Sequence, residues 1–186
     1  MLVDQSFIQE IREIIFHSRD NAIRSVNWER TIMYWKIGKR IFEEEQQGKE
    51  RAEYGAYLIQ KLSEQLQPEF GSGFGSRQLE LIRQFYKTFP IANTLRSQFN
   101  WSHYKLLIRI GDEHKREYYI AESTNNNWTS RQLERQINSQ LYERLLMSND
   151  KENVLAVARK EKNPVHPSEI IKDPMVLEFL GLKPNS

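Results

Sequence analysis

Residues 71–90 read GSGFGSRQLELIRQFYKTFP, and this stretch decides the fold class. At about 100° per residue, Leu79, Leu81, Ile82, Phe85, Tyr86 and Phe89 fall on one arc of a helix. Arg77, Glu80, Arg83, Gln84 and Lys87 fall on the opposite arc. Ser76 is placed to cap this helix and Pro90 to stop it. The apolar arc is a core face. The polar arc carries the residue types that read DNA, because Arg forks onto guanine and Gln onto adenine in the major groove. A solvated helix face is the plain alternative.

Upstream, Tyr54, Leu58, Leu62 and Leu66 lie four apart, which predicts a helix over residues 53–67 that ends before Pro68. Two helices joined through Gly71–Gly75 make a helix-turn-helix unit, although a connection over residues 68–75 exceeds the usual three or four. The glycine-rich loop lacks the Gly-Lys-Ser/Thr ending of a P-loop, so a flexible turn is the simpler reading, with a backbone contact to a DNA phosphate as its functional version.

Further out, Asp4 caps a first helix carrying Phe7, Ile8, Ile11, Ile14 and Ile15, and Asn27 caps a second carrying Trp28, Ile32, Trp35 and Phe42. Downstream, an extended piece is expected near residues 97–101, followed by a short helix over 104–110 opened by Ser102. A polar helix is expected from Asp112 to Asn125. Thr129-Ser130-Arg131-Gln132 fits a capping box, and its helix carries Leu133, Ile137, Leu141 and Leu145 on one stripe. A last short helix is expected over residues 152–160. The predicted class is therefore mainly α, a multi-helix domain with a helix-turn-helix or winged-helix-like unit. Its expected extent is residues 1–162, a helical DNA-binding or assembly domain. Residues 163–186 read as a linker, Asn163-Pro164-Val165-His166-Pro167, and the start of a following domain.

The 186 residues include 27 Lys and Arg, 25 Asp and Glu and no Cys. The absence of cysteine excludes a disulfide framework, a thiolate metal site and a cysteine nucleophile. Positive charge is concentrated: residues 70–111 hold Arg77, Arg83, Lys87, Arg96, Lys105 and Arg109 against the single acid Glu80. Such an excess is what a phosphate-contacting surface needs. Lys105 with Arg109, and Arg131 with Arg135, are spaced to share a helix face and straddle phosphates. His17, His103, His114 and His166 have no metal-ligand spacing, and Glu113-His114-Lys115 matches half of a nuclease motif without a strand or a partner acid. No apolar run reaches membrane-spanning length and Asp4 and Glu10 argue against a signal peptide, so a cytoplasmic, non-membrane chain is expected. It reads as non-catalytic, with no cofactor. An interaction or dimerisation module using Ile11, Ile15, Trp28 and Trp35 is the competing reading, and the Trp101-Ser102-His103-Tyr104 motif reads first as a packing anchor.

Several stretches together resemble the amino-terminal domain of the bacterial YhcG family: residues 34–38 (YWKIG), 43–49 (EEEQQGK), 52–55 (AEYG), 74–79 (FGSRQL), 83–86 (RQFY), 101–104 (WSHY) and 127–137 (NWTSRQLERQI). The resemblance covers residues 4–182. It implies a helical domain of winged-helix or helix-turn-helix character that precedes a metal-dependent nuclease domain of the PD-(D/E)XK type. Residues 173–182 resemble the entry to that domain, and the resemblance places no catalytic residue in this chain. The expected partner is nucleic acid, as double-stranded DNA, with a homodimer as a further possibility. The expected contacts are Arg77, Arg83, Gln84 and Lys87 in the groove and Lys105, Arg109, Arg131 and Arg135 on the backbone.

Overall fold

A computed structural model describes residues 4–47 and 54–148; the helix expected at 152–160, the linker at 163–167 and the segment 173–182 lie outside the described residues. The chain divides into two compact units, one ending at Ile108 and one starting at Arg109.

The first unit is built on α1, a single helix over Gln5–Gln47. Asp4 caps it as expected: its carboxylate accepts from the Ser6 backbone N–H at 3.2 Å and from the Ser6 hydroxyl at 2.7 Å, and these bonds hold the carboxyl below the usual carboxylate range. The expected break at Asn27 does not occur. Asn27 is an interior residue whose side chain accepts from Arg30, while its carbonyl accepts from the Thr31 hydroxyl. Capping needs a chain that turns away before the helix, and here the i+3 and i+4 partners on the helix satisfy Asn27 instead.

Helix α2 spans Tyr54–Phe70 and α3 spans Ser76–Thr88. Pro68 does not end α2. In the last turn a proline forfeits one backbone bond, and Gly71 N–H still closes onto Gln67 C=O at 2.9 Å. The connection therefore shortens to Gly71–Gly75, within which Ser72–Phe74 form one 3-10 turn and Gly71 takes a left-handed φ of 85°. Phe74 pins this turn, its ring 6.5 Å from Tyr34 and 5.7 Å from Phe70. Ser76 is the first helical residue, and Gly75 before it makes no side-chain cap. The extended piece expected near 97–101 is a turn, and it leads into the short helix expected over 104–110, which forms as α4, Trp101–Leu107. Its cap is Asn100, not Ser102: the Asn100 side chain accepts from Ser102 and His103 N–H, and His103 returns a bond to the Asn100 backbone. A second 3-10 turn covers Ala92–Thr94.

The core lies between the C-terminal half of α1, α2, α3 and α4. α1 contributes Thr31, Tyr34, Gly38 and Ile41; α3 contributes Leu79, Ile82 and Phe85; α4 contributes Trp101, Tyr104 and Leu107. Each fully buried large apolar side chain is worth about 1.5–3 kcal/mol. Trp101 stands 4.9 Å from Tyr34 and 5.4 Å from Phe85, which makes the Trp-Ser-His-Tyr motif a packing anchor. Trp35 donates to the Phe89 carbonyl at 2.6 Å and meets Tyr86, so it belongs to this fold too.

In the second unit, α5 spans Glu113–Asn125, α6 Ser130–Asn138 and α7 Leu141–Met147. Asp112 caps α5 through Lys115 N–H, and the Thr129–Gln132 capping box forms as expected. The stripe of Leu133, Ile137, Leu141 and Leu145 does not run along one helix. The Ser139 hydroxyl donates back to the Gln136 carbonyl, and Gln140 adopts a left-handed φ of 51°, so the chain turns and restarts at Leu141. Tyr119 is fully buried, and its hydroxyl donates to the Gln136 carbonyl at 3.1 Å, tying α5 to α6. No strand occurs among the described residues, so the protein is mainly α and no β-hairpin wing is present in that region.

Burial pushes the phenols of Tyr104 and Tyr119 up to about 12. An unfolded tyrosine titrates near about 10, so the fold favours the neutral form. That stabilisation is whole below pH ~10 and is lost as pH rises through the folded value. The melting temperature should therefore drop steeply between about pH 10 and 12, and a circular-dichroism melt series that is flat there would contradict this account.

Candidate nucleic-acid interface

The buried side of α3 holds Leu79, Ile82 and Phe85, which are completely excluded from solvent. Its periodicity therefore turns the other arc outward. Arg77, Glu80, Gln84 and Lys87 are all exposed there, with the Gln84 amide 3.4 Å from the Thr88 hydroxyl. The Lys87 charge sits in the last turn, where it also complements the helix dipole.

Arg83 is placed differently from its neighbours. Its guanidinium forms an ion pair with Glu45 of α1, and the two side chains are only 28% and 15% exposed. The pair packs over Gly55 at the start of α2, where a Cβ would come within 2.5 Å of the Glu45 carboxylate. Arg83 thus braces α3 against α1, and reaching a groove would require breaking that bond. Nothing in the local pattern singles out Glu45 within the run Glu43–Glu45, and only the crossing of α1 and α3 brings it to Arg83. Arg83→Ala should lower the stability of the first unit by about 1–2 kcal/mol, below the cost of breaking a fully buried pair because both groups keep some solvent. Urea denaturation measures this; an unchanged midpoint would contradict the bracing role.

The amides of the glycine loop are largely used internally, Phe74 N–H onto Gly71 C=O and Gly75 N–H onto Ser72 C=O. Lys105 and Arg109 do not share a helix face. α4 ends at Leu107 with buried Leu107 and Ile108, which leaves Lys105 half-buried in the first unit and Arg109 exposed at the start of the second. Arg131 and Arg135 do share the exposed side of α6, one turn apart. Lys115 of the half nuclease motif is paired with Glu143. Among the described residues, no group of three or more His, Cys, Asp or Glu could hold a metal ion, and no helix is long and apolar enough to cross a membrane.

The DUF1016 N-terminal domain family matches residues 10–144. A protein of Escherichia coli (strain K12) named "Putative nuclease YhcG" is 36% identical over 211 aligned residues, which cover 94% of this chain and 56% of that protein. The chain thus spans about half the length of this curated relative. No solved structure matches. A family match across both units, and a relative sharing more than a third of its residues, place the chain: it belongs to the DUF1016 N-terminal domain family.

Proposed function

We propose that this chain is the DNA-docking domain of a nuclease, the catalytic part of which lies in the additional length that relatives such as the Escherichia coli protein carry. The observation that carries the reading is α3, which follows α2 through the short Gly71–Gly75 connection, buries Leu79, Ile82 and Phe85 on one face and exposes Arg77, Gln84 and Lys87 on the other. That division is what a recognition helix requires, since it must be held rigidly from behind while three or four side chains reach base edges. Arg77 and Gln84 are the candidates for base contacts and Lys87 for the groove-edge phosphates. Arg83 acts as a positioning residue through Glu45. Lys105, Arg109, Arg131 and Arg135 supply backbone contacts. The partner is double-stranded DNA, and no cofactor is needed for docking.

Arg77→Ala/Lys87→Ala should weaken duplex binding by about tenfold to a hundredfold, because each lost contact costs about 1 kcal/mol. Arg131→Ala/Arg135→Ala should instead weaken all sequences alike and reduce the salt slope by up to about 2. Fluorescence anisotropy on labelled duplexes reads both. An Arg77→Ala/Lys87→Ala chain that binds like the parent would overturn the assignment of α3.

A further inference from the structure

Among the described residues, nothing buries the first half of α1. Every residue from Asp4 to Val26 is exposed except half-buried Ile8, and burial begins at Asn27 and Trp28. This arm is about 33 Å long at 1.5 Å per residue. It bears Phe7 at 55% exposure, Ile11 at 42%, Ile14 at 60% and Ile15 at 45%. With Ile8, Ser18, Ala22, Ser25 and Val26 these form an arc of about 120° that contains no charge between Gln5 and Val26; Phe16 and Ile23 fall outside it. An isolated helix of this length, rich in isoleucine and broken by Ser and Asn, is marginal in water unless its apolar stripe is covered.

We propose that a second copy of the chain covers it, in an antiparallel helix pair centred near Phe16. The arm's own sequence is complementary to itself in that direction only. As a heptad, Phe7, Ile11, Ile14, Ser18, Asn21 and Ser25 form the seam, Ile8, Ile15 and Ala22 one edge, and Glu10, His17 and Arg24 the other. The large seam residues lie in the N-terminal half and the small or polar ones in the C-terminal half. Antiparallel pairing sets Phe7 over Ser25, Ile11 over Asn21 and Ile14 over Ser18 of the second copy. On the apolar edge Ile15 meets Ile15, and Ile8 meets Ala22. On the charged edge Glu10 meets Arg24, twice by symmetry. Parallel pairing would stack small on small and set Glu10 beside Ile15. The antiparallel overlap runs from residue 4 to residue 28, so it ends where α1 enters its own core. The interface is isologous, as a two-fold dimer requires. This inference stands independently of DNA docking.

The 186-residue chain should sediment as a dimer at micromolar concentration, and Ile11→Asp should shift it to monomer by weakening association about a hundredfold while keeping the helical signal. Glu10→Arg should weaken it about tenfold, and Glu10→Arg/Arg24→Glu should restore it. Because the chain has no cysteine, orientation is directly readable. Ile15→Cys copies should be joined to one another by a short bismaleimide, which a parallel pair would hold apart on opposite edges. A monomeric mass for the parent chain, whatever else covers the stripe, would overturn the proposal. So would a dimer that survives Ile11→Asp, or one whose Ile15→Cys copies fail to link.

Discussion

Gly38→Ala should destabilise the first unit by about 2–3 kcal/mol, enough to lower its melting temperature by roughly 10–20 °C. Gly38 is buried where α1 crosses α3. A Cβ there would lie 2.3 Å from the Ile82 carbonyl oxygen, 3.1 Å from the Ile82 carbonyl carbon and 3.0 Å from the Tyr86 Cβ. The clashing atoms are mainly backbone, so no side-chain rotation relieves them. In an exposed helix the same change would gain about 1 kcal/mol of helix propensity. Here the two helices must separate, and every contact of Leu79, Ile82 and Phe85 with α1 loosens as they do. The steric term wins. Denaturant unfolding of Gly38→Ala and of the larger Gly38→Val should show a graded loss. A stabilised Gly38→Ala would contradict the crossing geometry, and with it the way α3 is presented.

Phe85→Ala should cost about 3–5 kcal/mol. Phe85 is fully buried, with ring centroids 4.7 Å from Tyr104, 5.4 Å from Trp101 and 5.8 Å from Phe89. Removing the ring leaves a cavity that three other rings cannot fill, because each is fixed by its own contacts: Trp101 on Tyr34, and Tyr104 through the Arg96 N–H, which it accepts at 2.7 Å. Edge-to-face pairing adds about 0.5–1.5 kcal/mol per contact beyond area burial, so the loss should lie toward the upper end. Phe85→Leu keeps most of the volume and should cost about 1.5 kcal/mol or less. Thermal melts of the two variants separate cavity formation from ring chemistry. A Phe85→Ala chain as stable as the parent would mean that α4 does not pack on α3.

Much of this architecture was legible in the sequence, and the exceptions share a cause. The period of α3 identified its buried face, and local polar chemistry located the caps at Asp4 and Thr129. Those signals are short-range. Continuity of α1 through Asn27, extension of α2 past Pro68 and the break at Gln140 were not legible, because each is decided by which of two locally acceptable conformations packs better. Capping at Asn100 rather than Ser102 shows the same ambiguity two residues apart. For the candidate interface, the exposed basic side of α3 followed from its amphipathic pattern. The Glu45–Arg83 pair did not, because its partners are 38 residues apart and meet only once α1 and α3 cross. Lys105 and Arg109 were separated by a helix end that four-residue spacing cannot reveal. The competing apolar surface also divided: Trp35 packs against α3, while Ile11 and Ile15 stay outside the fold.

DNA docking is tested most directly by fluorescence anisotropy of the 186-residue chain on random duplex DNA, titrated from about 50 to 200 mM salt. Contacts to three or four phosphates predict binding at low salt that falls with a log–log slope of about −3. No binding at low salt with tens of micromolar protein, or binding indifferent to salt, would contradict the claim that this domain docks on DNA.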